Sequence, residues 1–178
     1  MDKGKASGTG GLQHPFPPVA DARSSVLILG SFPSVKSRET EFYYGHPQNR
    51  FWKLLAILLE QDVAETTPEK IAFLHANRIA LWDVVNRCEI TGSADSTLLP
   101  QAYNDVPSLL RDTQIFAIFA NGQTAGKLYE KHIAPQAGIS ALILPSTSPA
   151  NAAWSLNRLA EAWRPLRDAL FENRVKHE

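Results

Sequence analysis

The chain has 178 residues and a mass of 19.7 kDa, the length of one domain rather than of a multi-domain assembly. Hydrophobic residues make up 44% and charged residues 20%, which excludes wholesale disorder. Eighteen Lys and Arg balance eighteen Asp and Glu, so the formal net charge is zero; a protein that holds DNA through a long basic track is excluded with it.

Residues 1–13 carry Lys3 and Lys5 but no apolar stretch, so they do not read as a signal peptide. With Gly4, Gly8, Gly10 and Gly11 they read as a flexible tail, and residues 14–178 as a single folded domain. His14-Pro15-Phe16-Pro17-Pro18-Val19 is an extended lead-in, because proline fixes φ and removes amide donors. Residues 25–29 (SVLIL) form a continuously apolar run ending at Gly30, which suits a strand buried on both faces. A loop rich in Ser, Pro and aromatics follows. Residues 49–59 (NRFWKLLAILL) read as a helix with Phe51, Leu54, Leu55 and Leu58 on one side. Thr66-Thr67-Pro68-Glu69 is a capping box with an early proline, opening a helix to about Asn77.

Residues 79–85 (IALWDVV) are a second strand and residues 86–104 a long polar loop. A short helix over 105–111, a third buried strand over 115–119 and a helix over 123–132 come next. Residues 141–144 (ALIL) are a fourth strand, stopped by Pro145. Residues 155–171 are helical, with a kink or two abutting helices expected at Pro165. Four apolar strands alternating with helices predict a three-layer α/β/α sandwich around a four-stranded, mainly parallel sheet. Right-handed crossovers then gather the strand C-terminal ends on one edge, where such sheets bind ligands.

That edge collects Ser31 to Ser34, Asp83, Asn121 with Gly122, and Pro145 to Asn151. These loops lack a G-x-S-x-G elbow, a phosphate-binding G-x-x-x-x-G-K-[ST] and a G-x-G-x-x-G. The five histidines show no zinc-type spacing, and the single cysteine, Cys88, excludes a disulfide framework and fits a reducing, cytoplasmic compartment. No metal or other cofactor is expected, and no apolar run is long enough to span a membrane. Ser hydroxyls and backbone amides in such loops can hold phosphate without a large charge. Residues 41–52 bring five aromatics beside Arg50, with Lys53 next, a composition suited to stacking a base near a phosphate rim. Phe51 and Trp52 read as helix core; Tyr43 and Tyr44, ahead of the helix, are the better stacking candidates. Lys36, Arg38, Arg50 and Lys53 leave a small basic surplus over Glu39 and Glu41.

Gly30-Ser31-Phe32-Pro33-Ser34, then Tyr44-Gly45-His46-Pro47-Gln48-Asn49-Arg50-Phe51-Trp52-Lys53, then Pro145-Ser146-Thr147-Ser148-Pro149-Ala150-Asn151 resemble the uracil-DNA glycosylase superfamily. The nearest branch resembles the deoxyinosine (hypoxanthine) DNA glycosylases, with the mismatch-specific uracil enzymes beside it. The resemblance runs from about Phe16 to Leu170. It implies a glycosylase-like catalytic domain of base-excision repair that hydrolyses the N-glycosidic bond of a flipped, deaminated base in double-stranded DNA. No lyase step, membrane or obligate protein partner is implied.

Most of the superfamily has Asp or Asn before the first-loop proline, where this chain has Phe32, and a histidine opening the last loop, where it has Leu144. In the deoxyinosine branch the water-holding role falls to the asparagine of the H-P-x-N block, here Asn49. The resemblance places Phe32, Tyr44, Asp83 and Asn121 at the base. It places Ser31, Ser34, His46, Ser146, Ser148, Pro149, Ala150 and Asn151 on the DNA. A neutral Asn49 can orient water and present its amide oxygen to a developing sugar cation; the same residue is also suited to capping the helix that follows. His46 either contacts phosphate or holds its own loop. A G/U mismatch-type uracil glycosylase and a non-catalytic module binding damaged DNA or a nucleotide remain alternatives. Zero net charge predicts few neutralised phosphates. Titrating a labelled duplex between 50 and 200 mM salt should give a log–log slope no steeper than about −4, whereas a slope near −10 would contradict it.

Overall fold

Val26, Leu27, Ile28 and Leu29 are wholly removed from solvent. Burial of each such side chain stabilises by roughly 1.5–3 kcal/mol, which makes this strand the centre of the molecule. The structure, a computed structural model, describes residues 11–90 and 98–175. In chain order the elements are β1 (Leu12–Gln13), β2 (Val26–Gly30), α1 (Val35–Thr40), α2 (Phe51–Leu59), α3 (Thr67–Ala76), β3 (Ile79–Asp83), β4 (Val85–Ile90) and β5 (Leu98–Tyr103). They continue with α4 (Val106–Arg111), β6 (Ala117–Asn121), α5 (Gln123–His132), α6 (Ala134–Ala137), β7 (Ala141–Leu144), α7 (Leu156–Ala162) and α8 (Arg164–Val175).

The main sheet is four-stranded and parallel, in the order β3-β2-β6-β7. Alternation along β2 divides the core. Val26 and Ile28 face a cluster with Phe51, Leu54, Trp163, Leu166 and Leu170, beneath α2, α7 and α8. Leu27 and Leu29 face the opposite cluster with Val106, Ala125 and Tyr129, beneath α4 and α5. This is the expected three-layer sandwich. The chain steps from β2 to β3 on one side, then crosses back to β6 and β7 on the other. The strand order therefore reverses between β2 and β6, and a crevice opens beyond their C-terminal ends.

The capping box forms as expected. Thr66 Oγ1 accepts from the Glu69 amide at 3.3 Å, and the Glu69 carboxylate accepts from the Thr66 amide at 3.1 Å. The helical run at the C-terminus divides into α7 and α8, with Trp163 between them and Pro165 in the first turn of α8.

The structure departs from the sequence reading in four places. Residues 86–104 are not a loop throughout: β4 and β5 pair antiparallel and, with β1, make a second, three-stranded sheet. Register shifts between Val85, Arg87 and Cys88 explain the miss, because a bulge breaks the two-residue alternation that marks a strand. Val85 and Cys88, three apart, are both buried. Residues 91–97 of the expected loop, and residues 1–10 of the expected tail, lie outside the described residues. Leu12 and Gln13, read as tail, pair with Cys88 and Arg87. The third strand runs from Ala117 rather than 115, in register with Val26, and leaves Phe116 exposed. The Ser/Pro loop contains α1, capped by Ser34, whose Oγ accepts from the Ser37 amide at 3.2 Å.

Candidate active site

Four strand ends converge as the topology requires. Gly30 and Ser31 leave β2, Asp83 ends β3, Asn121 ends β6, and residues 145–151 follow β7. Gly30, Ser31, Asp83, Asn121 and, from the last loop, Ser146, Thr147 and Ser148 line a small cleft together with Phe32, Pro33, Ser34, Ser37, Tyr43, Tyr44 and Asn49. Phe32, Pro33, Ser34, Ser146 and Ser148 also form a wall of a larger groove, about 620 Å³, which Arg38, Leu98, Gly122, Gln123, Ala150, Asn151 and Trp154 help to line. Among the described residues, no lysine lines either space, and no three His, Cys, Asp or Glu side chains gather as a metal-binding group.

The loop after β7 is held from within. The Arg50 guanidinium donates to the backbone carbonyls of Thr147 (3.3 Å), Ser148 (2.8 Å), Asn151 (3.0 Å) and Trp154, and the Arg50 amide also donates to Thr147 O at 3.2 Å. A planar guanidinium can meet several carbonyls at once, which an ammonium cannot. The charge of Arg50 therefore serves the fold, and Lys36 is paired with Glu39 at 2.9 Å. The basic surplus expected around residues 36–53 is smaller than the sequence count suggests.

Thr147 sits at the centre of the site and is fully buried. Its amide donates to Asn121 Oδ1 and its hydroxyl accepts from Asn121 Nδ2, both at 3.0 Å. That hydroxyl then donates to Asn49 Oδ1 at 2.9 Å. Asn49 Oδ1 also accepts from the Phe51 amide at 3.0 Å, in the first turn of α2. Asn49 stands one residue before the N-cap, Arg50, rather than at it, and its side chain still holds the first amide of α2. The amide-oxygen reading is corrected, because both lone pairs of Oδ1 are occupied. Phe51 N–H can only donate, so the oxygen assignment is fixed by chemistry. Nδ2 is the donor end of this amide.

The other expected site residues divide clearly. Asn121 reaches the cleft but its amide is engaged by Thr147. Tyr44 lines the cleft at a left-handed φ of 53° and stacks on Phe51 at 4.0 Å, so one ring face is already covered. Phe32 is buried and lines both spaces. Asp83, 4% exposed, lies at the cleft floor, where His14 Nε2 meets its Oδ2 at 2.8 Å. Burial, with the Asp83 charge added, pushes the Tyr43 phenol far up, so it stays a neutral donor to Pro17 O at 2.9 Å. Leu144 is core.

Ser146 Oγ accepts from the Ser148 amide at 3.1 Å and Ser148 Oγ from the Ala150 amide at 3.2 Å. Each hydroxyl thus shapes a turn and keeps its own proton to donate. Ser31 and Ser34 line the cleft, and Ala150 and Asn151 line the groove. Asn151 Nδ2 is tied to Ser146 O at 3.0 Å. Pro149 and His46 line neither space, and His46 Nδ1 accepts from the Gln48 amide at 3.0 Å, which is the loop-holding role. Sequence reasoning missed Thr147 and His14 and misread Arg50. The only available signal for the first was its place inside the matched Ser/Pro loop.

A profile of the uracil DNA glycosylase superfamily matches residues 17–169. The chain belongs to the uracil DNA glycosylase superfamily. Within it, the chain is similar to a hypoxanthine DNA glycosylase of Methanosarcina acetivorans, 36% identical over 152 residues, spanning 84% of this chain and 95% of that one. It is 35% identical over 139 residues to the corresponding Methanosarcina barkeri protein, spanning 76% and 86%. Its fold resembles the solution NMR structure of a candidate uracil DNA glycosylase from Methanosarcina acetivorans. The TM-score is 0.75 at 35% identity, over 90% of this chain and 97% of that one.

Replacing Arg50 with lysine should leave loop carbonyls unpaired, costing about 2 kcal/mol and lowering the thermal midpoint by about 5 °C; calorimetry checks this. Thr147→Val should lower the base-release rate while Thr147→Ser keeps it near wild type, read in single-turnover assays.

Proposed function

We propose that this superfamily member is a monofunctional DNA glycosylase that hydrolyses the N-glycosidic bond of deoxyinosine in double-stranded DNA, releasing hypoxanthine. The observation that carries the reading is the cleft in which Asn49, locked by Thr147, faces Asp83 and Tyr44 at the switch point of the sheet. The 36% identity to a hypoxanthine DNA glycosylase over most of both chains supports it.

A stacked base cannot reach a cleft of this depth, so the target nucleotide flips out, at a cost of a few kcal/mol that is least for a mismatched base. Ser31, Ser146 and Ser148 donate to backbone phosphates, while Ser34, whose hydroxyl donates to Ser37 Oγ at 3.1 Å, shapes the loop beside them. Pro149, Ala150 and Asn151, at the loop tip, follow the strand into the gap left behind. Phe32 and Tyr44 flank the base, and Asp83 reads its edge.

The C1′–N9 bond breaks with its electron pair going to the base, leaving an oxocarbenium-like sugar. Water adds at C1′ and loses a proton to solvent, while the departing base takes up a proton. In so dissociative a reaction, placing the water matters more than deprotonating it. Asn49 Nδ2 holds that water by donating to its oxygen. This leaves the second lone pair directed at C1′. Asn121, through Thr147, keeps Asn49 from rotating. Among the described residues no lysine lines the cleft to form a Schiff base, which supports an intact abasic site as the product.

Duplexes carrying one deoxyinosine, uracil or xanthine, incubated with protein and then treated with alkali, give the test. Strand cleavage at deoxyinosine only after alkali is expected; no cleavage at any of the three refutes the enzyme reading. Asn49→Ala should slow deoxyinosine cleavage by about 100-fold or more and still bind the duplex. Retained activity would move the chemistry to another residue.

A further inference from the structure

His14 precedes the 17–169 segment matched to the superfamily and belongs to no strand or helix. It is nonetheless among the most enclosed polar groups beside the cleft, its side chain 3% exposed against 5% for Asp83. Phe16, Phe32 and Tyr43 surround the imidazole at 4.9, 5.9 and 6.1 Å between ring centres. The lead-in segment is fixed at both ends. The His14 amide donates to Asn86 O at 2.7 Å, and Val19 pairs with Leu81.

The hydrogen bonds determine where the protons are. His14 Nδ1 lies 2.7 Å from Phe16 O, and a carbonyl only accepts, so Nδ1 carries a proton. Nε2 lies 2.8 Å from Asp83 Oδ2, and that contact needs one proton between the two atoms. Whether the proton sits on nitrogen or on Oδ2, the other carboxylate oxygen, Oδ1, carries none. Oδ1 lies over Gly30, where any side chain would collide with it, and both residues line the cleft. The floor therefore presents an oxygen that can accept a hydrogen bond and cannot donate one.

We infer that His14 is a specificity-determining residue, which keeps Asp83 Oδ1 an obligatory acceptor and so restricts the cleft to bases with a lactam N–H. Deamination creates that group. In adenine, ring N1 is an acceptor beside an amino group; in hypoxanthine it is an N–H beside a carbonyl. Cytosine and uracil differ in the same way at N3. An acceptor-only floor meets N–H with a charge-assisted bond and leaves a bare ring nitrogen opposed to it, unpaired and repelled. Such mismatches of buried polar groups discriminate far more strongly than shape does. Without a donor on Oδ2, nothing would keep a carboxyl proton on the side away from the cleft, and Oδ1 would no longer be confined to accepting. Its O–H could donate to adenine N1, and the discrimination would collapse.

The inference rests on the proposed base-reading role of Asp83. The test compares release from duplexes with one deoxyinosine or one deoxyadenosine opposite deoxycytidine, under single-turnover conditions, with folding followed by circular dichroism. For His14→Leu, deoxyinosine release should fall at least about 10-fold and the deoxyinosine-to-deoxyadenosine ratio at least about 10-fold. His14→Gln, whose Nε2 can still donate to Oδ2, should hold the ratio within about threefold of wild type. His14→Asn, whose amide stops short of Oδ2, should behave as the leucine variant and serves if that one does not fold. In an Asp83→Asn background, His14→Leu should change the ratio no further. An unchanged ratio in folded His14→Leu, an equal loss in His14→Gln, or a further loss in the Asp83→Asn background would each overturn the inference. A wild type that releases no hypoxanthine refutes the proposed function instead; one that releases it with a ratio indifferent to His14 refutes this inference alone.

Discussion

Arg50 directs a full positive charge at its own backbone. The loop after β7 turns too sharply for its carbonyls to find strand or helix partners, and buried carbonyls left unpaired are costly. One guanidinium accepts this task for Thr147, Ser148, Asn151 and Trp154 together. Because Arg50 opens α2, the loop is pinned to the helix that also presents Asn49. The position of Thr147 relative to Asn49, and hence the orientation of the Asn49 amide, follows from that clamp.

The sheet supplies the second constraint. Reversal of strand order between β2 and β6 leaves a crevice that no crossover helix covers. The groups of the site reach it from strand ends, from the loop that Arg50 holds, and from the α1–α2 segment that carries Ser37, Tyr43, Tyr44 and Asn49. The walls are polar but carry little free charge. Asn121, Thr147 and Asn49 are joined in one chain of hydrogen bonds, and Asp83 is held by His14. A site built this way favours fixed dipoles over mobile ions, which suits a reaction in which charge develops on the substrate rather than on the protein.

The sequence disclosed much of this through local patterns. Continuous apolar runs revealed the four parallel strands, Thr66 to Glu69 revealed the start of α3, and Pro165 revealed the break between α7 and α8. The β4–β5 hairpin stayed hidden because its bulge disrupts alternation and its residues look polar. The site residues found from motifs were those whose loops are distinctive as strings. Thr147 was hidden among serines that resemble it chemically. His14 was hidden by its distance along the chain from Asp83, and Arg50 looked like a cation for a phosphate rim.

Length, a balanced charge and apolar periodicity are local or summed properties, so the sequence by itself determined an α/β fold with loops gathered at one sheet edge. It also determined the absence of a long basic track. Which atoms of those loops act was decided only by the tertiary structure. Hydrogen-bond direction depends on neighbours that are 98 residues apart for Thr147 and Asn49, and 69 apart for His14 and Asp83. Those neighbours turned Arg50 from a DNA-facing cation into a clamp and Asn49 from an oxygen donor of electrons into an N–H donor. They also set His14, from a proline-rich lead-in, against Asp83 at the floor of the cleft.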